Sequence, residues 1–293
     1  MIDPYYQDKL TVIENLVTRE VEEVGPIRAV IRFQWQYSNS TITQRVTLYR
    51  NNPRIDFRTS IDWHQHQMLL KVAFPVGIRM TYATYEIQFG NIQRPTHQNT
   101  SLDVPHFENP AQKWVDVSEG DYGVALLNDC KYGYDVKDNV MRLTLHRSPT
   151  EPDPQADQGL HQLTYSLLPH AGTWRNSQVA EQAYALNYPL HAVSIPPNPA
   201  GILPAQFSWV TVDCDHVILE TVKMAEDDDA WIVRLYEYKQ FRNERVQLQF
   251  WRDIKQAVEV DLMEEHEEPV EFDANQITFS MRPYEIKSIK VWF

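Results

Sequence analysis

Residues 27–63, IRAVIRFQWQYSNSTITQRVTLYRNNPRIDFRTSIDW, decide the fold class of this chain. Apolar and polar residues alternate along Ile27–Phe33, Thr41–Tyr49 and Ile55–Trp63, which is the pattern of strands that bury one face. Asn51-Asn52-Pro53 supplies a turn before the last of these segments. The stretch therefore predicts three antiparallel strands that are neighbours in one sheet.

Strand-like segments continue on both sides of this stretch. They follow it at Leu69–Phe74, Tyr85–Phe89, 114–127 and Val140–Leu145. A spacing of about 8 to 12 residues between short strands is typical of sandwiches and barrels. Upstream, the apolar residues of Leu10–Val24 fit a helical face as well as an imperfect strand. We favour a strand there, because Gly25-Pro26 ends the segment abruptly before a clear strand.

A proline-rich break divides the chain into two predicted domains. Between Pro189 and Pro204 the hydrophobic periodicity stops, as in a linker. Beyond the break, seven short β-like runs follow, at 209–212, 216–222, 231–236, 246–251, 257–261, 276–279 and 286–292. The sequence therefore predicts an all-β chain with a large β-sandwich domain over residues 1–195 and a small β-sandwich domain over residues 196–293.

Composition excludes several classes of partner. The chain has 293 residues, 27 basic and 40 acidic, and a formal net charge of −13. That charge argues against nucleic acid and against anionic membrane surfaces as partners. Glu226–Asp229 and Glu264–Glu268 hold much of the acidity, and we expect both runs to be exposed, solvated loops.

Cysteine content and targeting signals indicate the compartment. Only Cys130 and Cys214 occur, in no paired spacing, which predicts neither a disulfide framework nor a zinc knuckle. The sequence contains no secretion signal and no apolar run of the length, about 20 residues, that spans a bilayer. We therefore expect a soluble chain in the cytoplasm, without a membrane partner.

A candidate ligand site lies at the proline-rich loop Ser148–Gln158, which cannot form the interior of a strand or helix. Arg147 precedes this loop, and Asp153, Asp157 and His161 lie in or after it. Carboxylates accept hydrogen bonds from vicinal hydroxyls while arginine donates them, so the group suits a sugar. The alternative is a loop held by its own arginine–aspartate salt bridge, and the sequence leaves both interpretations open.

A second candidate is the polar and aromatic turn Asn128–Tyr134. Tyr132 could offer a ring face to a sugar, with Asp129 or Lys131 binding its hydroxyls. The alternative is an ordinary turn that uses asparagine, aspartate and glycine for backbone reasons.

Metal-binding and catalytic signatures give no further candidate. His64 and His66 would share one strand face, a spacing that can hold a metal, but no third ligand is near in sequence. A polar strand end explains them better. Nucleotide, metalloprotease and serine hydrolase motifs do not occur. We predict no catalytic residue, metal ligand or cofactor in this chain.

Nine segments along nearly the whole chain share the pattern of one known family. They are 2–6, Gly25–Ala29, Ala83–Gly90, Gln93–His97, Lys113–Gly133 with its core ALLNDCKYG, Leu143–Pro149, Ala156–His161, Ser166–Gly172 and Arg282–Lys287. On these segments the chain resembles the C-terminal half of glycoside hydrolase family 38 α-mannosidases, in the branch similar to the cytosolic enzyme.

The resemblance implies both a fold and the location of the catalytic groups. It implies a large galactose mutarotase-like supersandwich, followed by a smaller β-sandwich. In this family the chemistry belongs to an N-terminal α/β barrel, which carries a divalent metal, zinc or cobalt, and the nucleophile of a retaining mechanism. We expect that barrel to lie outside this chain, in cis or as a separate chain, and we expect this chain alone to be inactive.

The resemblance also assigns roles to single residues. Arg147 matches an arginine that the C-terminal half lends to the substrate cleft, where related branches have two successive arginines and this chain has His146-Arg147. Asp157 and His161 match the branch's Asp-x-Gly-x-His pattern and are expected beside the cleft.

The predicted function is therefore a structural and cleft-lining portion of a retaining α-mannosidase that acts on mannose-containing oligosaccharides. The alternative is a stand-alone carbohydrate-binding β-sandwich module that uses Tyr132, Arg147 and His161. An aldose epimerase-like enzyme is suggested by fold analogy alone.

Overall fold

A computed structural model describes residues 6–198, 200–202 and 204–293, with the side chains of Tyr6 and Gln7 left out. Residues 2–5, which are most of the first segment shared with the known family, lie outside the described part. So do positions 199 and 203 of the proline-rich break. The chain forms two compact units, one of residues up to 87 and 92–191, the other of residues 88–91 and 192–293. The predicted domain boundary between residues 195 and 196 stays a prediction.

The first unit contains two sheets. The larger has nine strands, β1 Leu16–Val24, β2 Arg28–Tyr37, β3 Ser40–Tyr49, β4 Asn52–Trp63, β6 Tyr82–Ile87, β7 Gly90–Pro95, β9 Trp114–Ser118, β10 Tyr122–Asn128 and β13 Gly159–Ala171. The smaller has four, β5 Leu69–Pro75, β8 Asn109–Pro110, β11 Gly133–Lys137 and β12 Val140–Arg147. Their spatial orders are β1-β2-β3-β4-β13-β10-β9-β6-β7 and β5-β12-β11-β8.

One hydrophobic core joins the inner faces of these two sheets. Ile61 and Leu126 of the larger sheet, and Tyr134 and Leu143 of the smaller one, are completely buried in the same cluster. Burying an apolar side chain of this size stabilises a fold by about 1.5–3 kcal/mol. The first unit is therefore a β-sandwich, and the predicted all-β class is confirmed.

The three strands predicted from residues 27–63 are confirmed as β2, β3 and β4, paired antiparallel in sequence order. The ambiguous Leu10–Val24 segment is a strand only from Leu16, where pairing with β2 begins, so the strand prediction was wrong for residues 10–15. β1 is an edge strand with most side chains exposed, which explains why its apolar pattern was imperfect.

Four strands and the α-helix of the first unit were not predicted as regular structure. They are β7, β8, β11, the 13-residue β13, and the helix α1 Val179–Asn187, which buries Val179, Ala180 and Ala183. Short 3-10 helices occur at Tyr6–Lys9, Val104–His106 and Trp174–Asn176.

The second unit also contains two sheets. The strands are β14 Val210–Val212, β15 Val217–Met224, β16 Trp231–Glu237, β17 Asn243–Phe250, β18 Gln256–Val260, β19 Glu268–Pro269, β20 Phe272–Asp273, β21 Gln276–Met281 and β22 Ile286–Trp292. One sheet is ordered β14-β17-β21-β20 and the other β15-β16-β22-β18-β19. All seven predicted runs are therefore strands. Leu248 and Ile277 of the first sheet share a buried core with Leu235 and Ile289 of the second.

In the residues that the structure describes, no helix combines the length and the apolar character that crossing a membrane would require.

Candidate functional site

A β-bulge in β12 shapes the candidate site at the proline-rich loop. The register of β12 against β5 shifts between Thr144 and His146. Because the bulge interrupts the strand's alternation, Leu145 and His146 are both buried although they are adjacent. Arg147 follows as a half-buried residue at the end of the strand.

Two histidines and a tryptophan pack together behind the loop. The rings of His146 and His161 meet edge to face with centroids 4.3 Å apart, and His146 stands 5.7 Å from the ring of Trp63. Trp63 is buried, and its Nε1 donates to Ser148 Oγ at 3.2 Å. This aromatic cluster, Trp63, His146 and His161, connects β4, β12 and β13 at the place where the loop begins and ends.

The protonation of His146 follows from its contacts. Burial lowers the pKa of His146, although the hydrogen bond to the Asp157 carbonyl acts in the opposite direction. A carbonyl only accepts, so Nε2 carries the proton and donates to Asp157. The ring is therefore neutral at pH 7 and holds the loop by its backbone. Among the described residues, the buried Nε2 of His161 has no hydrogen-bond partner.

The backbone of the loop explains the Asp-x-Gly-x-His spacing. Asp157 and Gly159 have positive φ values of 60° and 94°. Glycine tolerates this left-handed conformation without a steric penalty, and aspartate tolerates it better than most residues. These two residues return the chain into β13, where His161 pairs with Ile61 of β4. The spacing thus has a structural reason as well as the predicted role beside a cleft.

The structure bears on the two interpretations of the loop. Asp153 accepts the backbone N–H of Gln155 at 2.9 Å, and Asp157 is exposed. Neither carboxylate forms an ion pair with Arg147, and within the described residues the Arg147 guanidinium makes no hydrogen bond or ion pair. A loop held by its own arginine–aspartate salt bridge is therefore not what the structure shows. The guanidinium is available to a ligand.

The turn Asn128–Tyr134 is held by side chains that accept hydrogen bonds from backbone N–H groups. The buried Asn128 accepts N–H groups from Cys130 and Lys131, and the Asp129 carboxylate accepts the Thr164 N–H at 2.9 Å. These bonds favour the ordinary-turn interpretation for Asp129. Tyr132 differs, because 61% of its surface is exposed and its ring remains available. The Asp129 N–H also donates to the Thr164 carbonyl at 3.1 Å, so the turn adjoins β13 three residues after His161.

His64 and His66, for which a polar strand end was the preferred interpretation, do not share a strand face. β4 ends at Trp63, and both histidines are exposed beyond it. His64 Nε2 lies 3.0 Å from Asp62 Oδ1, which is an ordinary surface contact.

All residues of Glu226–Asp229 are exposed, as expected, but within Glu264–Glu268 the side chain of Glu264 is only 9% exposed and lies 2.7 Å from Lys223. Lysines neutralise part of the charge of both runs. Lys290, whose side chain is only 7% exposed, lies 2.7 Å from Asp228 and 3.4 Å from Glu267. Asp261, Glu265 and His266 bring possible ligand atoms within 4.8 Å of one another. The group is exposed, and the Asp261 carboxylate already accepts the Glu265 N–H, so an ordinary turn accounts for it.

Sequence reasoning found the arginine and one histidine of this site, but it missed Trp63 and His146. The signal available for His146 was its position directly before Arg147. No local signal marked Trp63, because its contact with His146 depends on how the two sheets of the sandwich pack against each other.

Comparison with known proteins identifies the family of this chain. Residues 1–155 match the family model described as glycosyl hydrolases family 38 C-terminal domain. Residues 216–289 match the model described as glycosyl hydrolases family 38 C-terminal beta sandwich domain. The chain belongs to glycoside hydrolase family 38 and corresponds to the C-terminal region of its members.

Curated relatives of this chain are named as α-mannosidases. The chain is 37% identical over 295 residues to "Alpha-mannosidase 2C1" of Mus musculus, covering 99% of this chain and 28% of that protein. It is 42% identical over 242 residues to the Homo sapiens protein of the same name, covering 81% of this chain and 23% of that protein. The chain therefore spans about a quarter of the length of these relatives.

A solved structure shows the same fold. The α-mannosidase from Enterococcus faecalis V583 matches with a TM-score of 0.79 and 20% sequence identity, over 94% of this chain and 35% of that chain.

Proposed function

We propose that this chain is the structural and substrate-cleft-lining portion of a retaining α-mannosidase. The family's N-terminal barrel, in cis or as a separate chain, supplies hydrolysis and holds the zinc or cobalt ion. The substrate is a mannose-containing oligosaccharide, and the place of action is the cytoplasm. The names of the relatives support the parent activity.

One observation carries the proposed contact with substrate. Arg147 is the residue that matches the family's cleft arginine, and its guanidinium makes no bond within the described part of the chain. Guanidinium groups donate several hydrogen bonds in a fixed geometry, which suits vicinal hydroxyls. In this proposal the exposed Asp157 adds an acceptor and the exposed Tyr132 adds a ring face.

His161 has a different role in this proposal. Its ring packs on His146, and its partnerless Nε2 is buried. The histidine therefore positions the loop that carries Asp157, and Asp129 positions the neighbouring turn through the Thr164 N–H.

We predict that Arg147→Ala lowers kcat/KM of an assembled enzyme by about 10- to 100-fold, because a hydrogen bond from a charged donor is lost. The measurement is aryl α-mannoside hydrolysis by a chimera in which this chain replaces the matching region of the mouse relative. Arg58→Ala, an exposed arginine on β4, is the matched control and should leave kcat/KM unchanged. Equal activity of the Arg147→Ala and control chimeras would contradict the cleft role.

The second candidate function is a stand-alone carbohydrate-binding module, which the exposed Tyr132 ring favours. Calorimetric titration of the chain with mannose and mannobiose separates the two. A module binds these sugars without a barrel and loses binding in Tyr132→Ala. A cleft-lining portion gives no measurable heat, because one wall supplies too few contacts.

A further inference from the structure

A cavity in the first unit shares no residue with the Arg147 loop. It has a volume of about 420 Å³ and lies where β7 ends and β11 turns into β12. Its lining includes Arg94, Thr96 and His97, which belong to a matched segment that the proposed function does not use, together with Asp103 and Lys137. A volume of this size accommodates a small organic molecule such as a substituted monosaccharide.

The wall of this cavity is held in place by hydrogen bonds. Buried Thr96 receives one from Asp138 N–H at 2.8 Å and donates its own N–H to the Thr81 carbonyl at 3.0 Å. Asp103 accepts both the N–H and the hydroxyl of Thr100, at 2.9 and 3.0 Å. A wall that is already ordered loses little conformational entropy when a ligand binds.

Arg94 brings a positive charge to the cavity without a carboxylate to balance it. Its guanidinium lies 4.8 Å from the ring centroid of buried Tyr85 and donates to the Pro110 carbonyl at 2.5 Å. Burial lowers the pKa of Arg94, which is the expected cost of a cation without a close anion. Within the described residues, neither Arg94 nor Lys137 forms an ion pair.

Within the described residues, the carboxylates that line the cavity form no ion pair with Arg94 or Lys137. Asp135 is bound by Lys71 and Arg142, each at 2.9 Å, so its charge is balanced on its other side. Asp103 faces Thr100, and Asp8 is exposed. Carboxylates that make no salt bridge remain acceptors for hydroxyl groups. The cavity thus offers two cations and separate acceptors.

We infer that this cavity is a second ligand site that takes a small polyhydroxylated anion, a sugar phosphate or a sugar acid. Arg94 and Lys137 bind the phosphate or carboxylate group, and Asp8 and Asp103 accept from the hydroxyls. Because charge-assisted hydrogen bonds are the stronger kind, the anionic group contributes most of the affinity.

Calorimetric titration of the full chain tests this site with four probes, a hexose 6-phosphate, a hexuronate, inorganic phosphate and the neutral hexose. We expect binding of the hexose phosphate, the hexuronate or both, weaker binding of inorganic phosphate, and none of the neutral hexose. Which acid binds identifies the anionic group. Arg94→Gln and Lys137→Gln should each weaken binding about tenfold, the effect of losing one charge-assisted hydrogen bond.

Arg58→Gln removes a positive charge from an exposed strand position and is the matched control, with unchanged affinity. Lys137→Gln keeps the test valid if Arg94→Gln destabilises the fold, because Lys137 supports no other described side chain. The inference is overturned if neither anionic sugar binds, if the neutral hexose binds equally well, or if Lys137→Gln binds like the unsubstituted chain.

Discussion

Replacing Trp63 with alanine is expected to lower the free energy of unfolding of the first unit by about 3–5 kcal/mol, the usual range for a buried tryptophan. Trp63 is 2% exposed, stacks with Tyr37 at 6.1 Å and supports His146 at 5.7 Å. Its removal opens a cavity beneath the aromatic cluster and leaves Ser148 without its indole donor. Denaturant unfolding followed by circular dichroism measures the loss, and hydrogen exchange locates it in β4 and β12.

Two substitutions serve as controls for Trp63→Ala. Trp63→Phe keeps most of the buried volume but loses the N–H donor, so it should cost about 1 kcal/mol plus a smaller cavity term. Tyr132→Ala removes an aromatic ring of the same site that is 61% exposed, and should change stability by less than about 0.5 kcal/mol. If Trp63→Ala destabilised the chain no more than Tyr132→Ala, the aromatic cluster would not hold the loop.

Glu237→Ala is expected to destabilise the second unit by about 3 kcal/mol, since four backbone donors lose a charged acceptor, one in a buried bond and three in part-buried bonds. The Glu237 side chain is completely buried, and its carboxylate accepts four backbone N–H groups. The donors are Lys239 and Phe241 on Oε1, at 2.8 and 3.0 Å, and Gln240 and Tyr284 on Oε2, at 2.9 and 3.0 Å. Chemical denaturation of the variant measures this effect.

Glu237→Gln and Glu244→Ala separate the causes. The amide of Glu237→Gln keeps one acceptor oxygen but places an NH₂ group against N–H donors, so we expect an intermediate loss of stability. Glu244 is exposed and should tolerate alanine within about 0.5 kcal/mol. A small effect of Glu237→Ala would mean that water replaces the carboxylate at these donors.

Local alternation was sufficient to predict most strands. The runs within Asn243–Phe250 and Gln276–Met281 alternate apolar with polar residues, and they are adjacent strands of one sheet. β11 was missed because Gly133-Tyr134-Asp135 follows a turn-rich segment and was grouped with it. Tyr134 is completely buried in the sandwich core, a fact that only tertiary packing reveals.

The candidate site was predictable in residue type but not in geometry. Arg147 and His161 stood out as a donor and an imidazole around a stiff loop. Their arrangement depends on the bulge between Thr144 and His146 and on the pairing of His161 with Ile61, 100 residues earlier. Neither a bulge nor a long-range register leaves a periodic signal in the sequence.

The most direct test of the account is an assay of the purified 293-residue chain on an aryl α-mannoside, with added zinc or cobalt. We expect no turnover above the uncatalysed rate, because the proposed function assigns the chemistry to the family's barrel and only a cleft wall to this chain. Turnover that Asp157→Ala abolishes would contradict it, since hydrolysis would then belong to this chain and to the loop after Arg147.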